Sequence, residues 1–186
     1  MKQAIMHFMV EFHQNGKLSR DINSTFIALI PKIDNPKKLN DFRPISLVGS
    51  IYKILAKVLT NRLHSVIGSV VSKDQLAFVQ NMQILDGILI ANEVVGEAHK
   101  LKKELLLLKV DFEKAYDLVD WGYLDVVMGR MSFPFLWRKW IKECISTATT
   151  SVLVNDSLTD EFPLERGLRQ GDPLSLLFFF LLLRRG

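Results

Sequence analysis

Two well-separated segments hold the side chains best suited to chemistry. The first, Lys109-Val110-Asp111-Phe112-Glu113-Lys114-Ala115-Tyr116-Asp117, follows an apolar run at residues 105–108. An acid therefore stands where a strand would end, the layout of a carboxylate presented to a metal ion. Two-metal nucleotidyl transfer needs such carboxylates from two strands, with one ion activating a hydroxyl and the other holding a triphosphate. Asp111 is half of that set. Read alone, such an acid is more often a turn or cap residue, and Tyr116 more often a core aromatic. Glu113, Asp117 and Asp120 read as caps or solvated acids. The second segment, Arg166-Gly167-Leu168-Arg169-Gln170-Gly171-Asp172-Pro173-Leu174-Ser175, is a turn rich in glycine, arginine and glutamine that opens into an apolar helix. Gly171 lets a backbone approach a ligand with no Cβ in the way, which suits a surface that meets a nucleotide and its template. Read alone, Lys32 and Arg43 are two exposed bases in a loop, although arginine can offer phosphate a planar two-point fork and lysine a point charge. Lys37 and Lys38 add only general attraction to phosphate.

These residues need elements to position them. Residues 25–30 are β-branched and apolar and Pro31 closes them, so a short strand leads into a polar loop at 32–41 that joins two strands. From Ile51 the positions Ile54, Leu55, Val58, Leu59, Leu63, Val66 and Ile67 recur at helical spacing, with Lys53, Lys57, Asn61 and Arg62 on the other side. A second helical pattern runs from Ile84 through Ile88, Ala91 and Val95 to Ala98. A strand ends at Asp111. A helix over 121–131 is entered through Asp120 as N-cap, and Pro134 starts another that continues through Trp137, Trp140 and Ile141. Residues 151–155 and 161–163 flank Asn155-Asp156-Ser157, which predicts a β-hairpin.

At 186 residues, 48% hydrophobic and 24% charged, the chain is long and apolar enough for a packed core. A net charge of +4 fits a polyanionic partner without requiring one. A single cysteine, Cys144, excludes an internal disulfide, and His7, His13, His64 and His99 lack zinc-ligand spacing. The expectation is an intracellular protein of nucleus or cytoplasm. His7, Glu11 and His13 break any signal-peptide core, and the apolar run at 174–183 reaches about 15 Å as a helix, roughly half a bilayer. No membrane partner follows.

The two chemical segments resemble the A and B motifs of reverse transcriptases, most closely those of plant LINE-type (non-LTR) retrotransposons. Phe26-Ile27-Ala28-Leu29-Ile30-Pro31-Lys32 and Asp41-Phe42-Arg43-Pro44-Ile45-Ser46-Leu47 resemble the fingers of the same polymerases. Gln75-Leu76-Ala77-Phe78-Val79-Gln80 and Ile84-Leu85-Asp86-Gly87-Ile88-Leu89 are similar to their next fingers motif. Two positions depart from the pattern, Met82 where the family has arginine and Leu176 where it has proline. The resemblance implies an α+β fold: right-hand polymerase fingers over 1–104 and an incomplete palm over 105–186, a split βαβ sheet with helices on one face, the thumb absent. It implies Asp111 as catalytic and as a ligand of Mg²⁺, and Lys32, Arg43, Phe112, Tyr116, Gln170 and Gly171 as nucleotide-binding. Tyr116 would lie beneath the incoming sugar and select deoxynucleotides, and Arg169 would contact nucleic acid. The implied partners are an RNA template, a DNA primer and dNTPs. No Tyr/Phe-x-Asp-Asp segment occurs to supply the second acid pair, so the chain alone is expected to be inactive. The alternatives are an RNA-binding remnant without chemistry and a decayed retroelement product without function.

Overall fold

The computed structural model describes residues 2–70, 84–106, 116–175 and 178. The strand expected to end at Asp111, the motif at 75–80, and the helix at 174–183 beyond Ser175 (apart from Phe178) lie outside these residues.

The chain opens on a helix that the sequence reading did not anticipate, α1 (Lys2–Asn15). Ile5, Phe8, Met9 and Phe12 are its covered side chains, at the three- and four-residue steps of one helical face. It stops at Gly16, whose φ of 62° forms a left-handed cap with its N–H on Phe12 O at 2.7 Å. A Cβ there would lie 3.2 Å from the Trp140 ring. A single turn, α2 (Arg20–Asn23), then leads into β1 (Ser24–Pro31).

β1 runs antiparallel to β2 (Phe42–Val48), from Thr25 opposite Val48 to Pro31 opposite Phe42. The connection behaves as the predicted polar loop. Asp41 Oδ2 accepts the Lys37 and Lys38 N–H groups, both at 2.9 Å, and these bonds, Lys37 first, hold its carboxyl below the usual carboxylate range. On its other side β1 pairs in parallel with β3 (Thr149–Val154). The strand order is β2-β1-β3-β4, with β4 at Ser157–Leu158 and β5 (Phe162–Pro163) also pairing with β3. The sheet is thus mixed.

The predicted hairpin forms across Asn155 and Asp156, both at positive φ (48° and 61°), between Val154 and Ser157. A two-residue loop with both φ positive matches the right-handed twist of the strands. Its return strand is broken. Leu153 faces Leu158 and Thr150 faces Phe162, so Ser151 and Val152 stand opposite three residues, Thr159, Asp160 and Glu161, an extra residue that makes a β-bulge. The Thr159 hydroxyl accepts the Val152 N–H at 3.0 Å where the ladder is interrupted.

Helix α3 (Ser50–Val70) follows β2, and α4 spans Ile84–Lys100. Asp120 caps α5 (Trp121–Arg130) as expected, accepting the Tyr123 N–H at 2.6 Å, and α6 (Phe135–Ser146) begins at Pro134. Two compact units result, residues 1–60 with 114–186, and residues 61–113. The first takes its core from Tyr52, Leu55 and Leu59 of α3, Leu124 and Met128 of α5, and Trp140, Ile141 and Cys144 of α6, with Leu168, Leu174 and Phe178. Each large apolar side chain so buried contributes about 1.5–3 kcal/mol. On the sheet, Thr25, Val48 and Thr150 share a buried face, while Phe26, Ile30, Leu47 and Leu153 share the opposite, exposed one. In the second unit Ile88, Leu89, Val94 and Val95 of α4 are all exposed. Among the described residues no helix is long and apolar enough to cross a membrane.

Candidate functional site

Lys32 and Arg43 sit on the β1–β2 hairpin. Ile30 pairs with Arg43, and the Lys32 N–H continues the ladder to Asp41 O at 2.7 Å. Side chains opposite one another, and those two apart on one strand, share a face. Lys32 and Arg43 are therefore diagonal neighbours on the exposed face of the hairpin. Lys32 Nζ donates to Asn40 O at 3.2 Å.

The two motifs that carry the sequence argument are joined through their backbones. Leu168 N–H donates to Tyr116 O at 2.7 Å and Gly167 N–H to Val119 O at 2.8 Å. The Trp121 indole N–H closes the joint on Gly167 O at 2.7 Å. Tyr116 is half-buried, and burial pushes its phenol above the ordinary value. Further along, the second motif lies along the outer edge of the sheet, where Ser46 N–H of β2 donates to Gln170 O at 2.8 Å. Gly171 has a φ of 97°, and a Cβ there would meet Ser46 O at 3.1 Å. Glycine is thus required by both conformation and contact. Gln170 Oε1 is buried with no hydrogen-bond partner among the described residues. Pro44, two positions before Ser46, faces the same outer edge, the one orientation in which a strand tolerates a missing N–H.

Arg169 points inward. Its Nη1 donates to Asn23 Oδ1 at 2.9 Å, and its Nη2 to Cys144 O at 3.2 Å and Asp172 Oδ2 at 2.9 Å. The guanidinium lies 4.3 Å from the centre of the Tyr52 ring. Arg169 and Asp172 side chains are 4% and 3% exposed. The expected contact of Arg169 with nucleic acid therefore gives way to an internal arrangement, because four acceptors already surround its planar fork once the Asn23 carbonyl at 3.4 Å is included. Asp172 also accepts the Tyr52 hydroxyl at 2.8 Å and, through Oδ1, the Leu174 N–H at 2.9 Å. That last bond, with Pro173 next, makes Asp172 the N-cap of the helix that starts at 173. Burial first, then the nearby Asp172 charge, pushes the Tyr52 phenol well up.

Asp111 and Phe112 lie outside the described residues. Among those described, no group of three or more His, Cys, Asp or Glu side chains could hold a metal ion.

A family description, reverse transcriptase (RNA-dependent DNA polymerase), matches residues 30–185. The chain belongs to the reverse transcriptase family. Its relatives come from non-LTR retrotransposons. This reverse transcriptase segment is 32% identical over 167 residues to the transposon TX1 uncharacterized 149 kDa protein of Xenopus laevis, covering 90% of the chain and 13% of the relative. It is 27% identical over 170 residues to the retrovirus-related Pol polyprotein of the type-2 retrotransposable element R2DM of Drosophila melanogaster, covering 91% and 16%. It is 24% identical over 153 residues to the corresponding type-1 R2 polyprotein of Popillia japonica, covering 82% and 21%. The reverse transcriptase segment thus spans a fifth or less of most of these relatives' length. Tyr52 and Asn23, which grip its second motif, were not singled out from sequence. Tyr52 reads there as one more position on the buried face of a helix, and Asn23 as an ordinary polar residue before a strand.

Proposed function

We propose that this reverse transcriptase segment forms the fingers (1–104) and first palm portion (105–186) of an RNA-directed DNA polymerase and holds the incoming dNTP. The observation that carries the reading is the backbone joint between the motifs, Leu168 N–H to Tyr116 O and Gly167 N–H to Val119 O, continued by Ser46 N–H to Gln170 O. One bonded path links Tyr116, Gln170 and Gly171 to the strand that bears Arg43. In this reading Lys32 and Arg43 meet the triphosphate from the exposed face of the hairpin, charge against charge. Tyr116 lies under the sugar, where a 2′-hydroxyl would collide with it, and Phe112 is assigned to nucleotide binding with it. Gln170 and Gly171 lie against the nucleotide and the template base, with the unpartnered Gln170 Oε1 as an acceptor ready for a ligand donor. Asp111 would contribute one carboxylate to a Mg²⁺ site. RNA template and DNA primer are the corresponding partners.

The test is Asp111→Asn in a polymerase completed with palm and thumb from a related enzyme. The expected result is loss of primer extension by more than about a hundredfold, since transition-state charge loses a preorganised partner, with RNA binding by filter assay unchanged. Extension within about tenfold of the parent would remove Asp111 from the catalytic set.

A further inference from the structure

We propose that Tyr52 and Asn23 are positioning residues that fix Gln170 and Gly171 against β2, acting through Arg169 and Asp172. The inference builds on the nucleotide reading of Gln170 and Gly171 and asks what holds them there. Among the described residues, the hydrogen bond that ties them to the sheet is Ser46 N–H to Gln170 O. On either side stand Arg169 and Asp172, both turned inward and paired at 2.9 Å. Gln170 and Gly171 are thus a two-residue bridge between two anchored ends, and wherever the anchors sit, the bridge follows.

One side chain grips both anchors. The Tyr52 ring takes the guanidinium of Arg169 on its face and its hydroxyl donates to Asp172 Oδ2. An aromatic ring has few rotatable bonds, so the two contacts fix the anchors relative to each other at small entropic cost. Asn23 does the complementary task. Its Oδ1 accepts from Arg169 while its Nδ2 donates to Cys144 O at 3.1 Å and Thr147 Oγ1 at 2.8 Å. The anchors are thereby referred to α2, α3 and the end of α6 together. A buried ion pair is a poor source of stability, because desolvation offsets the Coulomb gain. Geometry is what such a pair with five further hydrogen bonds supplies. The Asn23 and Tyr52 contacts convert a surface loop into a part of the interior whose outer two residues alone face a ligand.

The experiment is amide hydrogen exchange on the intact 186-residue chain, without nucleotide. Tyr52→Phe keeps the ring over Arg169 and deletes only the hydroxyl to Asp172. Ser46 exchange is expected to accelerate about tenfold or more, while the Leu124 amide, bonded within α5 to Asp120 O, stays within about twofold, because local opening and global unfolding separate in exchange. Asn23→Ala reads the same anchor from the opposite side and should give the same pattern. Unchanged Ser46 protection in both variants overturns the proposal, and so does parallel acceleration of Ser46 and Leu124, which marks general destabilisation. With no nucleotide present, failure here speaks against the positioning role alone and leaves the polymerase reading to its separate test by primer extension.

Discussion

Gly167 combines a φ of +82° with crowding, since a Cβ there would lie 2.9 Å from Asp117 O and 3.1 Å from Tyr116 O. Both obstacles are backbone, so neither can rotate away. Gly167→Ala is expected to cost about 1–3 kcal/mol and to loosen the joint between the motifs. Urea denaturation reads the first effect and exchange at the Leu168 amide the second. Tyr116 belongs to the same joint through its carbonyl. In the completed polymerase Tyr116→Val should raise ribonucleotide incorporation relative to deoxynucleotide, measured as the ratio of the two kcat/KM values. An unchanged ratio would return Tyr116 to the role of a packing aromatic.

At the scale of elements, the β-bulge is tied to the rest of the sheet by Glu161. Its carboxylate accepts the Thr149 hydroxyl, also bonds the Ser24 side chain, and pairs with Arg20 Nη2 at 3.0 Å. The Thr149 bond foremost lowers its pKa from the ordinary 4.5. A depressed folded value means that its contribution is fully present above pH 4.5 and disappears as pH falls through the lower folded value. Glu161→Gln should therefore flatten the acid side of the stability curve and leave its neutral slope unchanged, as followed by urea midpoints against pH. Identical acid limbs would exclude the contact. The same elements mark what a sequence discloses. β1, α3, α5 with its Asp120 cap, and the Asn155-Asp156 turn were legible because their signals are local: alternation, helical spacing, a cap, a turn pair. The register shift that makes the bulge has no local signal, since it arises from Thr159 replacing a ladder acceptor across strands. α1 escaped notice because His7 and His13 interrupt the apolar pattern, although the His13 ring itself packs with its centre 5.1 Å from that of Trp140. Arg169 was legible as part of a motif, yet its direction was not, because the acceptors that turn it inward come from Asn23 and Cys144, far away in the chain.

At the scale of the whole molecule, the unit that carries the candidate site draws on both sequence halves. β1 and β2 precede α3, β3 returns long after it, and the second motif closes the outer side of β2. That closure has a consequence for how molecules behave toward one another. A free strand margin is a template on which another chain can add itself, and repeated addition ends in insoluble fibres. Here the Ser46 donor is occupied by Gln170 O and Pro44 offers none, so β2 is closed to recruits for as long as the bridge stays in place. Gly171→Ala, which would push a Cβ against Ser46 O, is expected to release that margin and to make turbidity rise above the parent's with concentration and time. Light scattering that stays at the parent level would show that the margin is guarded some other way. Substitutions in this loop are then expected to show first as association between chains, through the margin they uncover.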